Sequence, residues 1–353
     1  MPRKHFLPGR RLWKLRFVSA IATWIVIIFA PHGSIAGSDV RFLNIVPPVA
    51  VQEITAEGGR IVIEGRLGQQ YQMAGFAPPF RFVLRGKRPV RQKPKDGLPD
   101  GEITVSDDDK MQGWLTGPTR QYDHAVLGDD IEATGFRIKM NTGEEINYRL
   151  SPHHVFEDRR IRFLDIDGDK KPELVAVKSG FDGGARIAAY SIRQGRIVPF
   201  AESAVIGKAY RWLNPVSAAD FDGDGDIEIA AVITPHLGVL LRLFVLDGNR
   251  LVPDHEAQGF SNHGIGMQDM QLSAVADVNG DGISDILIPN ESRTAIRIVT
   301  FAGGLFRELH YINLKAKITG DMVLLSDKNE TKVLFPLSNA NLGLIMIKNP
   351  ARL

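Results

Sequence analysis

Three stretches of the chain crowd oxygen-bearing side chains at one fixed spacing. In residues 163–177, FLDIDGDKKPELVAV, they are Asp165, Asp167, Asp169 and Glu173. In 219–233, ADFDGDGDIEIAAVI, they are Asp220, Asp222, Asp224 and Glu228, with Asp226 between the last two. In 275–289, VADVNGDGISDILIP, they are Asp277, Asn279, Asp281 and Asp285. Each set falls on positions 1, 3, 5 and 9 of a loop with glycine at position 4. Carboxylates this close repel one another unless a cation sits among them. Side chains at positions 1, 3 and 5 of a tight loop converge on one point. A backbone carbonyl from position 7 and the acid at 9 complete a cage of hard oxygens. Calcium accepts about six to eight such ligands at variable angles, whereas magnesium demands a stricter octahedron and keeps its waters. The chemistry these residues suit is calcium binding, at up to three sites.

Two other readings of the loops are open to test. An EF-hand needs a bidentate acid at position 12 and flanking helices. Position 12 here is Ala176, Ala231 and Ile288, and β-branched runs follow, so the EF-hand and dockerin patterns both fail. Metal-free turns rich in Asp and Gly are common in β proteins. Three loops in register, each before the same kind of strand, favour metal over a bare turn.

The elements around the loops repeat as well. The first acids lie 55 and 57 residues apart. In step with them, RIAAYSIRQGRIVPF, VLLRLFVLDGNRLVP and AIRIVTFAGGLFREL each give an apolar strand, a glycine turn and a second strand. FRIKMNTGEEINYRL gives an earlier copy. Their turn glycines are Gly143, Gly195, Gly248 and Gly303, as hairpins require. One unit is thus a strand, an acidic loop, a strand and a hairpin. Four strands at this period predict an all-β chain, a β-propeller of roughly five to seven four-stranded blades. Two further units look worn. HAVLGDDIEATGFRI carries Asp129, Asp130 and Glu132, and the stretch from residue 323 carries Asp327, Asn329 and Glu330; neither is expected to hold metal. Residues 37–118 show no repeat and are expected to form an extra blade or a cap, with the propeller over 119–353.

On these three loops the chain resembles the FG-GAP or VCBS repeats of integrin-α-type β-propellers, over about residues 119–353. The resemblance implies ligand sets of Asp165, Asp167, Asp169, Lys171 through its carbonyl and Glu173; of Asp220, Asp222, Asp224, Asp226 through its carbonyl and Glu228; and of Asp277, Asn279, Asp281, Ile283 through its carbonyl and Asp285. Lys170 stands where the other loops have Gly225 and Gly282, and Pro172 follows, which weakens the first loop. Propellers of this kind usually have seven blades.

Residues 1–36 read as a signal peptide: a basic start, the apolar run FVSAIATWIVIIFA, and small residues at Ser34 and Ala36. The run is 14 residues, short of the roughly 20 that span a bilayer, so no stable membrane span is expected after cleavage. The leader holds six of the 43 basic residues and none of the 41 acidic ones. The remainder is slightly acidic and gives no argument for nucleic acid. A basic stretch, 81–96, reads as a solvated loop. There is no cysteine, which excludes disulfides and thiolate chemistry. No hydrolase or phosphate-binding motif occurs. His153 and His154 read as surface or interface residues, Trp114 and Trp212 as packing, and His263, among glycines, as a candidate pocket residue. The expectation is an exported protein, periplasmic or secreted. It would be a non-catalytic interaction or adhesion module for a protein or glycan ligand. The alternatives are a propeller lyase or hydrolase, or a sugar-binding protein.

Overall fold

The computed structural model describes residues 39–88 and 93–349, and among them every regular element is a strand. The signal-peptide expectation lies outside the described residues. After β1 (Val40–Ile45), the strands β2 (Val51–Glu57), β3 (Arg60–Gly65), β4 (Gln69–Met73) and β5 (Phe82–Lys87) form a first antiparallel sheet. β6 (Thr104–Val105), β7 (Met111–Thr119), β8 (Glu132–Met140) and β9 (Glu145–Arg149) form a second, followed by the short β10 (His154–Phe156). The third is β11 (Arg162–Leu164), β12 (Glu173–Gly180), β13 (Arg186–Arg193) and β14 (Arg196–Ser203). The fourth is β15 (Leu213–Ala219), β16 (Glu228–Ile233), β17 (Leu240–Asp247) and β18 (Arg250–Gln258). The fifth is β19 (Ala274–Ala276), β20 (Asp285–Pro289), β21 (Ala295–Thr300) and β22 (Arg307–Asn313). β23 (Val323–Ser326), β24 (Glu330–Pro336) and β25 (Leu342–Lys348) make the sixth, which β1 completes. β10 bridges β8 to β12, and a short parallel contact joins β14 to β18. The second, third and fourth sheets are thereby continuous.

The near-uniform apolar character of each second strand has a physical reason. Successive side chains of a strand point to opposite faces. In β12, Leu174 and Ala176 pack with Phe136 and Ile138 of the second sheet, while Val175 and Val177 pack with Ile229 and Ala231 of the fourth. β16 divides likewise, Ile229 and Ala231 one way, Ala230 and Val232 toward Ile286 and Ile288 of the fifth sheet. β24 sends Val333 and Phe335 toward the fifth sheet and Leu334 toward Ile61 and Ile63 of the first. A strand that serves two cores must be apolar on both faces, so alternation disappears. It returns in the fourth strands: β18 is buried only at intervals along its length.

Three expectations meet the structure here. The four turn glycines each sit between paired antiparallel strands at positive φ, Gly143 at 92° and Gly195 at 70° among them. Residues 51–87 form a four-stranded sheet of their own. The boundary expected at 118/119 falls inside β7. The worn unit at 129–132 is displaced: Asp129 and Asp130 lie between β7 and β8, not between a first and a second strand. The corresponding loop of that sheet is 106–110, whose carboxylates are Asp107, Asp108 and Asp109.

Candidate metal centres

All three acidic loops join the first strand of a sheet to its second, and all three close the same way. The acid at position 1 takes two backbone N–H groups: Asp165 from Gly168 at 2.8 Å and Lys170 at 2.9 Å, Asp220 from Gly223 at 2.6 Å and Gly225 at 3.2 Å, Asp277 from Gly280 at 2.6 Å and Gly282 at 3.0 Å. Position 3 accepts from the backbone of position 5, and position 5 from that of position 7. The acid at position 9 opens the second strand and reaches back to the N–H of position 2. Glu173 accepts from Ile166, Glu228 from Phe221 and Asp285 from Val278. The strand therefore carries its acid into the interior while the loop folds over it.

Carboxylate oxygens of Asp165, Asp167 and Glu173 lie within 4.8 Å of one another, as do those of Asp220, Asp222 and Glu228. Asp169 and Asp224 stand outside these two groups. In the third loop the Asn279 amide donates to Asp281 at 2.9 Å, and Asp285 keeps a buried Oδ1 with no hydrogen-bond partner. Burial, reinforced by the facing loop carboxylates, pushes Glu173 and Glu228 up to about 7 and Asp285 up to about 6. A buried carboxylate facing like charges holds its proton more tightly.

The other first-to-second loops supply an internal comparison. In the first sheet that loop is the turn Gly58–Gly59, without acids. In the second, Lys110 Nζ pairs with Asp108 at 2.9 Å. In the sixth, Lys332 Nζ lies 3.3 Å from Asp327 and 2.9 Å from Glu330. Where acids gather in these two loops, a lysine ammonium answers them. The second and third acidic loops have no lysine. The first has two, Lys170 and Lys171, and Lys171 Nζ lies 3.2 Å from Asp169.

Lys170 adopts φ of +66°, where Gly225 and Gly282 sit at +99° and +87°. The loop keeps its shape at the expense of a left-handed backbone on a residue with a Cβ, a strain of roughly 1–2 kcal/mol. Lys170→Gly is expected to stabilise the protein by about 1 kcal/mol, read as a higher urea midpoint. An unchanged or lower midpoint counts against the strain.

Sequence spacing missed two neighbours of the second loop. His255 on β18 brings Nε2 to 3.1 Å from Asp222 and 3.2 Å from Asp254, and its ring stacks on Phe301. His255 is 33 positions from Asp222, and no local pattern announces the contact. The second loop also touches the third: Ser284 N donates to Asp220 O at 3.5 Å, and a Cβ on Gly223 would strike the side chain of Ile283; Gly303 N, in the β21–β22 turn, donates to Asp222 O at 2.7 Å.

His263 is fully buried, with Nδ1 3.0 Å from His236 and Nε2 donating to Met267 O at 3.0 Å. Burial pushes it down to about 3. Both nitrogens are engaged inside the protein, which corrects its reading as a pocket residue. His154 binds Ser151 and Asp182 beside a cavity of about 200 Å³ lined also by Tyr122 and Phe181. Trp212 is buried, its Nε1 donating to Glu157 O at 2.9 Å, as expected for packing.

Glu132 is 2% exposed. Burial first, then the charge of Glu157, pushes it up to about 10. The native carboxyl keeps its proton where the unfolded chain has lost it. Stability from this group is therefore full below about 4.5 and falls as pH rises toward about 10. By pH 7 the loss is on the order of 3 kcal/mol. Glu132→Gln is expected to flatten the fall in urea midpoint between pH 5 and pH 8. A wild-type slope in the variant would show that Glu132 does not carry it.

The FG-GAP-like repeat family matches residues 165–231, a span that begins on the first acid of the first loop and ends just beyond the second loop. No curated protein matches the chain. Among solved structures, the WD40 domain of coronin from Toxoplasma gondii is similar at 11% identity and a TM-score of 0.38, over 90% of this chain and 88% of that one, a likeness too loose to assign a fold.

Proposed function

We propose that this chain, which carries an FG-GAP-like repeat at residues 165–231, is an exported, calcium-stabilised β-propeller whose six four-stranded sheets are its blades. It works as a non-catalytic module that binds a protein or glycan ligand. The observation that carries the reading is the contrast between loops: two acidic loops of other sheets hold a lysine ammonium against their acids, whereas the second and third calcium loops hold no lysine and bury an acid at position 9. The donor set is all oxygen, and the buried carboxylate of Asp285 adds to it. Both suit a hard cation. In each loop the residues named above for positions 1, 3, 5, 7 and 9 would hold it. Bound calcium supplies charge neutralisation and no reaction step. Elemental analysis of protein purified without chelator is expected to find two to three calcium ions per chain, fewer by one in Asp281→Ala. Metal-free protein that also fails to take up calcium by titration would reduce the loops to turns.

The sugar-binding reading has its own support in the cavity of about 200 Å³, where aromatic Tyr122 and Phe181 adjoin Asp182 and His154. Rings beside hydrogen-bonding groups are what a sugar face requires. Glycan binding lost in Phe181→Ala would make the ligand a carbohydrate.

A further inference from the structure

The first strands of five sheets border one cavity of about 470 Å³. Its wall is apolar except for Thr104, Ser217, Gln271 and Ser273, the two arginines Arg160 and Arg162, and one carboxylate, Asp107. Arg162 is only 8% exposed. Its Nη1 donates to Asp158 at 2.6 Å, yet its Nε and Nη2 are buried and meet no acceptor in the protein. Nε and Nη2 form the edge of a guanidinium that makes two parallel bonds to a carboxylate or phosphate. Arg160 repeats the situation: Nη2 donates to Gln271 Oε1 at 3.0 Å, and its buried Nε has no partner.

Asp107 stands exposed on the wall, and the three other nearby acids are already committed. Asp158 takes, besides Arg162, the N–H groups of Val177 and Arg159. Asp321 accepts from the backbone of Gln271 at 2.6 Å. Glu102 holds Arg159 at 2.9 Å and reaches Arg160 only at 3.5 Å. The Gln271 amide is fixed by donating to Val216 O and Ser273 O, which keeps its oxygen on Arg160. The two guanidiniums are thus held in place by one edge while another is left over. A buried charged donor without an acceptor is unfavourable, and a cavity of this volume is in the range that holds small molecules.

We propose that this cavity binds a small carboxylate- or phosphate-bearing anion, gripped side-on by the Nε–Nη2 edge of Arg162 and completed by Arg160. The site owes nothing to the acidic loops and stands whether or not they hold calcium.

The test is calorimetric titration of the purified protein with inorganic phosphate and, separately, with succinate, at constant ionic strength and constant free calcium. Saturable binding of one anion per chain is expected for at least one probe, and the stronger probe tells a phosphate site from a carboxylate site. Arg160→Gln is expected to weaken binding at least tenfold. Arg162 shares a buried ion pair, and its removal can unfold the protein, so Ser217→Leu serves as the second variant. It fills the cavity, leaves both arginine ion pairs intact, and is expected to abolish binding. No saturable binding of either anion overturns the proposal, as does binding that persists unchanged in Arg160→Gln and Ser217→Leu.

Discussion

EGTA lowers the melting temperature of the purified protein, and millimolar calcium restores it further than magnesium does: this is the expected result with the widest reach. A site saturated about a hundredfold above its dissociation constant adds roughly 2.7 kcal/mol to the native state. Three independent sites reach on the order of 8 kcal/mol, an upper figure. That is comparable with the whole stability of many domains. Asp222→Ala and Asp281→Ala are each expected to remove about a third of the response, since each deletes a ligand and leaves its neighbours repelling. Asp167→Ala is expected to remove less, because Lys170 strains that loop and Lys171 already answers Asp169. Identical melting curves in EGTA and calcium, with wild-type behaviour in all three variants, would end the calcium reading.

Truncation after Asn341 is expected to abolish cooperative unfolding. The last strand, LGLIMI at 342–347, had to find a partner if its apolar edge was not to stay open. In the structure β25 lies inside the sixth sheet, paired with β24 on one side and with β1 on the other, from Val40↔Ile347 to Ile45↔Leu342. Leu342, Leu344, Ile345 and Ile347 are wholly buried. At about 1.5–3 kcal/mol for each buried side chain, their loss removes roughly 6–12 kcal/mol, and β1 loses its only sheet. The truncated chain is expected to aggregate, or to melt without a sharp transition. A shortened protein with the wild-type melting curve would show that the sixth sheet is dispensable.

Much of the architecture was legible because it is local. The acidic loops, the turn glycines and the strand either side of each depend on neighbours within about a dozen residues. The first sheet was illegible for the opposite reason: its two-residue turn Gly58–Gly59 carries none of the acids that mark the other units. The loop 106–110 carries Lys110 and none of the position-9 acids that mark the other loops, whereas the acids at 129–132 precede the second pairing, with Glu132 opening β8. His255, Asp254 and the arginine cavity are assembled from segments tens of residues apart, and no spacing rule reaches that far. His263 misled because glycines beside a histidine suggest a face loop, while its partners His236 and Met267 are set by tertiary packing.

The bond from Ser284 to the carbonyl of Asp220, and the fit of Ile283 against Gly223, join the second and third loops mechanically. Among the described residues no such backbone bond ties the first loop to the second. Calcium in one of the two loops is then expected to alter the affinity of the other, and by the same factor in both directions. A calcium isotherm should accordingly resolve into a steep, cooperative pair and a separate, shallower event. Replacing Ile283 with alanine, which keeps its carbonyl, should pull the pair apart into two ordinary hyperbolas.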